Sequence, residues 1–178
     1  MKTVVIYKSK AGFVKRYAEW IAKELSADLV EQSKASAEML NSYDAIVYGG
    51  GLYESGINGV KLITGNLDKL AGKKIAVFAT GASPASREAR EDIIKHNFTA
   101  AQLAKLKFFY LRGGFDYSKL TIRDKFLMML LKMKMKWKMK RNIKLLDDEV
   151  GMLAAYDKPI DFVKRKNIEG LVAYFNEA

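Results

Sequence analysis

The chain has 178 residues, of which 49% are hydrophobic, and this length and composition predict one folded domain with its own core. It contains no cysteine and a single histidine, which excludes disulfides, thiol catalysis and iron–sulfur ligation and argues against a histidine-based metal site. The net charge is +11, and the segment between Arg123 and Arg141 is rich in Lys and Arg with one acidic residue, so we expect this segment to meet an anionic partner.

Short apolar runs alternate with helical patterns along the chain. The apolar runs predict five strands, at residues 3–7, 28–31, 44–49, 74–80 and 107–111. Helices are predicted at residues 13–25, 35–40, 60–70, 86–96 and 99–106, and a helical tail capped by Asp157 is predicted to run to about Phe175. This alternation predicts an α/β fold in which helices cover both faces of a parallel sheet.

Three loops leave the carboxyl ends of predicted strands, where doubly wound sheets bind their ligands. They span residues 9–14, 50–56 and 80–83. In the first loop, a strand feeds a helix through Gly12, so backbone N–H groups and the positive end of the helix converge on one point. This arrangement suits a phosphate, but an ordinary strand-to-helix turn would also contain one glycine; three loops at one edge favour the phosphate ligand.

The first loop, Ser9-Lys10-Ala11-Gly12-Phe13-Val14, resembles the phosphate loop of flavodoxins, which usually reads Ser/Thr-x-Thr-Gly-x-Thr. The resemblance covers residues 1–112 and the last helix. It implies a flavodoxin-like, doubly wound, five-stranded parallel sheet in the order 2-1-3-4-5 and a bound flavin mononucleotide (FMN). A dinucleotide is disfavoured, because the nearest acidic candidate for a ribose contact, Glu31, belongs to the second strand.

The resemblance also implies which residues hold the cofactor. The loops after the third and fourth strands fall where flavodoxins clasp the flavin ring, and Tyr53 is expected to stack on or beside that ring. The predicted cofactor-binding residues are Ser9, Lys10, Ala11, Gly12, Phe13, Val14, Gly50, Gly51, Leu52, Tyr53, Thr80, Gly81, Ala82 and Ser83. No side chain is predicted to act as a catalytic acid or base, and no metal ligand is predicted.

Two positions depart from the flavodoxin pattern. Ala11 and Val14 stand where the phosphate loop usually has threonines. Each missing hydroxyl is a hydrogen bond to a charged group, worth roughly 1.5–3 kcal/mol. We therefore expect the flavin to be held weakly or to be missing from the purified protein.

A segment after the fifth strand has no counterpart in ordinary flavodoxins. It contains the run Arg112-Gly113-Gly114 and then a basic, Met-rich stretch, and we place this insertion at residues 113–146 of the single domain 1–178. It resembles the long insertion of the menaquinone-dependent protoporphyrinogen oxidases. That branch implies electron transfer from a reduced substrate through FMN to a quinone at the membrane.

On a helix over residues 121–141, apolar residues form two opposite faces that are separated by lysines. One face can pack on the domain, and the other is expected to meet a membrane, a partner or an apolar substrate. We predict that Leu127, Leu131 and Met135, flanked by Lys134 and Lys138, form an outer face that binds anionic membranes. The alternation of apolar residues with lysine from Leu131 to Lys140 also fits an edge strand, and a Met-rich helix can simply be packed.

The sequence thus predicts an FMN-dependent oxidoreductase that resembles the quinone-linked enzymes. The alternatives are an electron-transfer flavodoxin that docks a protein partner and a flavodoxin fold with weak or lost flavin binding. No signal peptide or membrane span is visible, so a cytoplasmic protein is expected, either soluble or peripheral on the inner face of the membrane. A homo-oligomer is compatible with the second apolar face, and nucleic acid is not an expected partner.

Overall fold

A parallel sheet of five strands forms the centre of the molecule in a computed structural model. The structure describes residues 1–53, 55–84, 86–120, 122–145, 149–150, 153, 156 and 158–177. The strands of the sheet are β1 (Thr3–Lys8), β2 (Asp28–Glu31), β3 (Ala45–Tyr53), β5 (Lys74–Gly81) and β6 (Lys107–Arg112), and the short β4 (Gly56–Ile57) pairs antiparallel with the end of β3.

Helices connect these strands and precede the carboxyl terminus. They are α1 (Phe13–Glu24), α2 (Ala37–Leu40), α3 (Lys61–Thr64), α4 (Arg87–Asn97), α5 (Ala100–Leu103), α6 (Ile122–Lys140) and α7 (Glu169–Asn176). Outside the central sheet, β7 (Gly114–Phe115) pairs antiparallel with β8 (Ile160–Asp161). This small ribbon joins the segment after β6 to the segment before α7.

The spatial order of the parallel strands is β2-β1-β3-β5-β6. When the short β4 is left out of the count, this is the predicted order 2-1-3-4-5, so the flavodoxin-like fold class is confirmed. The switch in strand order lies between β1 and β3, which pair in register from Thr3 opposite Ala45 to Lys8 opposite Gly50. Ligand sites of doubly wound sheets lie outside the carboxyl ends of the strands at such a switch.

The core lies on both faces of the sheet, because neighbouring residues of each central strand point to opposite sides. Val4 and Ile6 of β1 face one cluster of buried residues, whereas Val5 faces the other. All three are fully buried. Near-continuous apolar strands are typical of a sheet that is covered on both faces.

Two elements differ in length from their prediction. The third strand was expected to end at Gly49, but it continues to Tyr53, because Gly50 and Gly51 still pair with Ala79 and Thr80 of β5. The helix expected at residues 60–70 is limited to α3, which ends at Thr64. The side-chain amide of Asn66 donates to the Leu62 carbonyl at 2.9 Å and satisfies a group that a longer helix would have used.

The prediction of a single helical tail after residue 157 is wrong for the described residues. Ile160 pairs with Phe115 as part of β8, and a 3₁₀ turn at Arg165–Ile168 precedes α7. Pro159 biases the residue before it towards extended backbone, which agrees with a strand rather than a helix at this point. The predicted cap, Asp157, lies outside the described residues, as does Thr121 at the start of the helix predicted in the insertion.

The insertion contributes α6, the longest helix that the structure describes. The helical interpretation of residues 122–140 is therefore correct, and the alternative of an edge strand is wrong. Within the described part of the chain, we find no helix with both the length and the apolar character needed to cross a membrane.

Candidate functional site

The three predicted loops meet at the carboxyl edge of the sheet. Strand pairing sets Lys8 beside Gly50 and Gly51 beside Thr80, so the chain leaves β1, β3 and β5 at neighbouring points. Side chains extend this proximity, since the Lys10 ammonium lies 3.9 Å from the centre of the Tyr53 ring. The structure therefore brings together the loops that the sequence singled out.

The first loop ends in a left-handed turn at the start of α1. Gly12 has φ 92°, a conformation that glycine adopts without strain, and its N–H donates to Ser9 Oγ at 3.1 Å. No side chain caps α1, and its first turn, which the structure describes in full, carries no acidic residue. The loop therefore presents the positive end of a three-turn helix, with N–H groups directed away from the sheet.

The Lys10 side chain joins this loop to two other parts of the molecule. Its ammonium lies 3.2 Å from Asp124 Oδ2 at the start of α6 and covers the ring of Tyr53. Partial burial alone would lower the pKa of Lys10, but Asp124 and Tyr53 outweigh that effect and raise the pKa above its ordinary value. Burial in turn raises the pKa of the Tyr53 phenol, and nearby Lys10 opposes the shift. The insertion thus contacts the first loop through an ion pair.

Glycines at the end of β3 are required by close packing within the protein. A Cβ at Gly49 would lie 2.1 Å from Cζ of Phe78, and one at Gly50 would lie 2.7 Å from Cγ2 of Ile57. A Cβ at Gly51, in contrast, would make only ordinary contacts, at 3.7 Å from Val14 Cγ2 and 3.8 Å from Tyr53. Of these glycines, Gly51 is therefore the one that leaves room beside the first loop.

The loop after β5 is held by polar groups of β6 and the residue that follows it. The Tyr110 hydroxyl donates to the Ser83 carbonyl at 2.7 Å, and the Arg112 Nε–H donates to the Ala82 carbonyl at 3.2 Å. The Gly113 N–H donates to the Gly81 carbonyl at 2.8 Å. Burial raises the pKa of Tyr110 to about 12, so the phenol stays protonated as a donor at neutral pH.

Sequence reasoning missed Tyr110 and Arg112 as residues of the site. Both lie on β6, one strand away from the loop that they hold, and they stand in a run that reads only as an apolar strand. Their side chains become recognisable as site residues once β6 is known to lie next to β5. The alternation of Tyr110 and Arg112 on one side of β6 is the signal that could have indicated them.

An open cleft of about 460 Å³ lies beside the amino-terminal end of α1. Its walls come from the first loop and α1 on one side and from the insertion and β8 on the other. The lining residues are Ala11, Gly12, Phe13, Lys15, Arg16, Glu19, Asp116, Lys119, Pro159, Ile160 and Asp161. Arg16 pairs with Asp161, and Lys119 lies 3.6 Å from Asp116, so the cationic and acidic groups of this cleft face each other.

The structure corrects the face of α6 that was assigned to a membrane. Met135 is 3% exposed and Lys138 lies 2.6 Å from Glu149, so both residues belong to the packed side of the helix. Leu127, Leu131 and Lys134 are exposed as expected. The error has a physical cause, because α6 contacts Glu149 and Tyr156, and its packed side could not be chosen from periodicity alone.

Comparisons with known proteins agree with this architecture. Residues 4–142 match the family model described as flavodoxin domain, which covers the three loops and α6. An uncharacterised protein of Methanocaldococcus jannaschii is 34% identical over 87 residues, and this match covers 47% of the chain and 57% of the length of that relative.

Two solved structures illustrate the structural similarity. Oxidised flavodoxin 2 from Bacillus cereus is 23% identical with a TM-score of 0.47, over 63% of this chain and 84% of that one. The two-electron reduced flavodoxin of Megasphaera elsdenii is 15% identical with a TM-score of 0.45, over 61% of this chain and 82% of that one.

Proposed function

The chain belongs to the flavodoxin domain family, and from this premise we propose that it binds FMN at the carboxyl edge of its sheet and transfers electrons. One observation carries the proposal: the uncapped amino terminus of α1 opens where the loops of β1, β3 and β5 meet. A phosphate is stabilised at such a helix end by backbone N–H groups and by the helix dipole. Bound FMN would supply one-electron and two-electron chemistry that no side chain can perform.

Different residues are available for the phosphate of FMN and for its flavin ring. For the phosphate, the loop offers Gly12 in the left-handed conformation and the N–H groups that follow it in α1. For the flavin ring, candidate walls are the exposed ring of Tyr53 and the loop of Ala82 and Ser83, whose carbonyls accept hydrogen bonds from β6. We propose that these groups orient the ring and limit the access of water to it.

Two features of the first loop weaken the fit for a phosphate. Ala11 and Val14 offer no hydroxyl group, and Asp124 sets a carboxylate beside Lys10, the nearest loop cation. The loss of two hydrogen bonds to a charged group could weaken binding by about 10² to 10⁴. We therefore expect this site to bind FMN with low affinity. If no FMN binds, the alternative of a flavodoxin fold that has lost its flavin is favoured.

The proposal is tested by titrating the purified protein with FMN and following flavin fluorescence and absorbance. Gly12→Ala should weaken binding, because its φ of 92° is strained for any residue with a side chain and the loop must change shape. Gly72→Ala is the matched control, since Gly72 has φ 80° and an equally open surrounding but lies away from the three loops. Equal effects of the two variants on FMN affinity, or tighter binding of NAD than of FMN, would contradict the proposal.

A second candidate is a quinone-linked oxidoreductase of the protoporphyrinogen oxidase type, which the resemblance of the insertion implies. The ion pair between Lys10 and Asp124 connects the insertion to the proposed phosphate loop, so the insertion lies close enough to affect what reaches the flavin. The test is anaerobic reoxidation of the reduced, FMN-loaded protein by menadione, together with an assay for protoporphyrinogen oxidation. Reoxidation no faster than that of free FMN would favour the alternative, a flavodoxin that docks a protein partner.

A further inference from the structure

Helix α6 exposes a row of large apolar side chains on the side opposite the buried Met135. We call this row the outer stripe. Its members are Ile122 (87% exposed), Phe126 (59%), Met129 (44%), Leu130 (45%), Met133 (59%) and Trp137 (50%). Exposed apolar residues are ordinary when they are single, but a contiguous row of this kind marks an interaction surface.

The outer stripe is continuous because of its spacing along the helix. At about 100° per residue, the six side chains fall within an arc of about 100°, and the buried Met135 lies on the opposite side. The packed side is held by other contacts: Tyr156 donates a hydrogen bond to the Met128 carbonyl, and Lys138 pairs with Glu149. Leu127, Leu131 and Met139 are also exposed outside this arc, so the outer stripe is the continuous part of a wider exposed apolar surface.

Cations lie on both flanks of the outer stripe. Exposed Lys136 follows one edge of the arc and exposed Lys134 the other, and Lys140 and Arg141 lie at its carboxyl-terminal end. The Arg141 guanidinium lies 4.1 Å from the centre of the Trp137 ring, which keeps this charge next to the apolar row. Asp124, the acidic residue of α6, lies on the packed side, where it pairs with Lys10.

We propose that α6 lies on anionic membrane surfaces, with its outer stripe in the lipid interface and its flanking cations at the headgroups. An apolar row with lysines on both flanks fits a planar anionic surface, because the aliphatic stems can follow the apolar residues while the ammonium groups stay in water. A second copy of the chain fits less well, since an antiparallel pair of these helices would bring lysine rows together. The proposal goes beyond flavin binding and does not depend on it.

The first experiment is flotation of the full chain with lipid vesicles. The protein should float with vesicles that contain phosphatidylglycerol, and it should float far less with phosphatidylcholine alone. High salt should release it, because charges near the surface are screened beyond roughly 8–10 Å at physiological ionic strength. Absence of flotation with anionic vesicles at low salt overturns the proposal.

Fluorescence can show whether the outer stripe itself enters the interface. Trp20 and Trp137 are the two tryptophans of the chain, and Trp20 lies on α1 against Tyr17. In a Trp20→Phe variant, the emission of Trp137 should shift to the blue on anionic vesicles, because the indole leaves water. The Trp137→Phe variant, which reports from Trp20, should show no shift; an equal shift in both variants overturns the assignment to α6.

Substitutions then separate the apolar contribution from the ionic one. Replacing Phe126, Met133 and Trp137 by Gln should weaken vesicle binding by at least about tenfold without unfolding the protein, since all three side chains are exposed. Replacing Lys134, Lys136 and Lys140 by Gln should weaken it by roughly 100-fold.

The matched charge control replaces Lys23, Lys34 and Lys69, which are exposed lysines outside α6, by Gln. This variant has the same net charge as the α6 lysine variant and should keep most of the binding. If the control loses as much affinity, general attraction explains the flotation and the proposal is wrong. A dimer in light scattering that the outer-stripe variant dissociates, without any vesicle binding, would instead identify a self-association surface.

Discussion

The central sheet and the insertion helix are held in the molecule by different forces. Val4, Val5 and Ile6 of β1 are fully buried, and side chains of α1 and α7 belong to the same buried cluster as Val5. Among the residues that the structure describes, α6 buries Met135 and makes polar and aromatic contacts with the rest of the protein. These contacts include Lys10 with Asp124, Lys138 with Glu149, Tyr156 with the Met128 carbonyl, and Lys132 over the Tyr156 ring at 4.7 Å.

This difference has an energetic meaning. Complete burial of one large apolar side chain contributes about 1.5–3 kcal/mol, whereas a partly exposed ion pair contributes about 0–1 kcal/mol. One buried side chain of the sheet therefore contributes more to stability than one of the partly exposed ion pairs of α6. A helix that keeps an apolar row exposed under these conditions has a surface available for an external partner.

The largest expected effect distinguishes the two regions directly. Phe78→Ala should lower the free energy of unfolding by about 3–5 kcal/mol, because Phe78 is fully buried against Tyr17 and Gly49. Phe126→Ala on the outer stripe removes the same side chain from an exposed position and should change stability by less than about 0.5 kcal/mol. Urea denaturation followed by circular dichroism measures both values.

If Phe78→Ala and Phe126→Ala lower the free energy of unfolding by similar amounts, the central sheet and α6 do not differ in the way described above. A large loss for Phe126→Ala would mean that the outer stripe is buried in solution, either by self-association or by another part of the chain. Repeating the measurement over a range of protein concentrations separates these two explanations, because self-association makes stability depend on concentration.

The sheet could be predicted because its signals are local. Each of these patterns lies within one short segment of the sequence: the apolar runs at β1, β3 and β5, and the helical spacing of α1. The burial of these segments follows from the patterns. The short antiparallel pair β7–β8 could not be predicted in this way. It joins Gly114 to Asp161, which are far apart in sequence and carry no periodic pattern.

The candidate site could be predicted only in outline. The turn at Ser9 and Gly12 could be predicted because a strand, a glycine and a helix follow one another along the chain. The ion pair of Lys10 with Asp124 joins residues that lie more than one hundred positions apart, so no local pattern indicates it. The packed side of α6 is identified by its contacts with Glu149 and Tyr156, and these contacts are known only from the tertiary structure.

The next prediction concerns FMN affinity and the first loop, at residues 9–14. Ala11→Thr should tighten FMN binding by about 1.5–3 kcal/mol if the new hydroxyl donates to the phosphate. Ala11→Val is the matched control, because it adds similar volume without a donor. Isothermal titration calorimetry measures the dissociation constants, and equal constants for the two variants would mean that the phosphate lies elsewhere.

Val14→Thr is a separate test because Val14 is only 3% exposed. Its new hydroxyl would be buried near Gly51, and without a partner it should cost about 1–3 kcal/mol of stability. Added FMN should recover part of this loss if the hydroxyl reaches the phosphate. Thermal unfolding with and without FMN measures the recovery, and no recovery would place Val14 outside the phosphate site.

A smaller effect on stability is expected at Tyr17 of α1, which contacts residues both before and after the insertion. The buried Tyr17 hydroxyl donates to the Arg112 carbonyl at 2.6 Å and accepts from the Asn167 side-chain amide at 2.6 Å. Tyr17→Phe should therefore destabilise the protein by about 1–3 kcal/mol in urea denaturation. Tyr43→Phe should cost less, because its partner, Asp28, is exposed and can be hydrated; a larger loss for Tyr43→Phe would contradict this reasoning.

The smallest effect concerns the ion pair that connects the two regions. The side chains of Lys10 and Asp124 are 39% and 25% exposed, so Asp124→Asn should lower stability by at most about 1 kcal/mol at neutral pH. The pKa of Lys10 is raised in the folded protein, so this contribution is fully present below the ordinary value of 10.5 and is lost as the pH rises through the folded value. Wild type and variant should therefore converge in urea denaturation at strongly alkaline pH.

The same Asp124→Asn substitution should have the opposite sign for cofactor binding. It removes a carboxylate beside the first loop and leaves the Lys10 ammonium available to an anion, so FMN should bind more tightly while the protein becomes slightly less stable. Asp161→Asn is the control, because it removes an acid that pairs with Arg16 and not with Lys10. If Asp124→Asn leaves FMN affinity unchanged, the insertion contacts the first loop, but its carboxylate does not affect the binding of FMN at the proposed site.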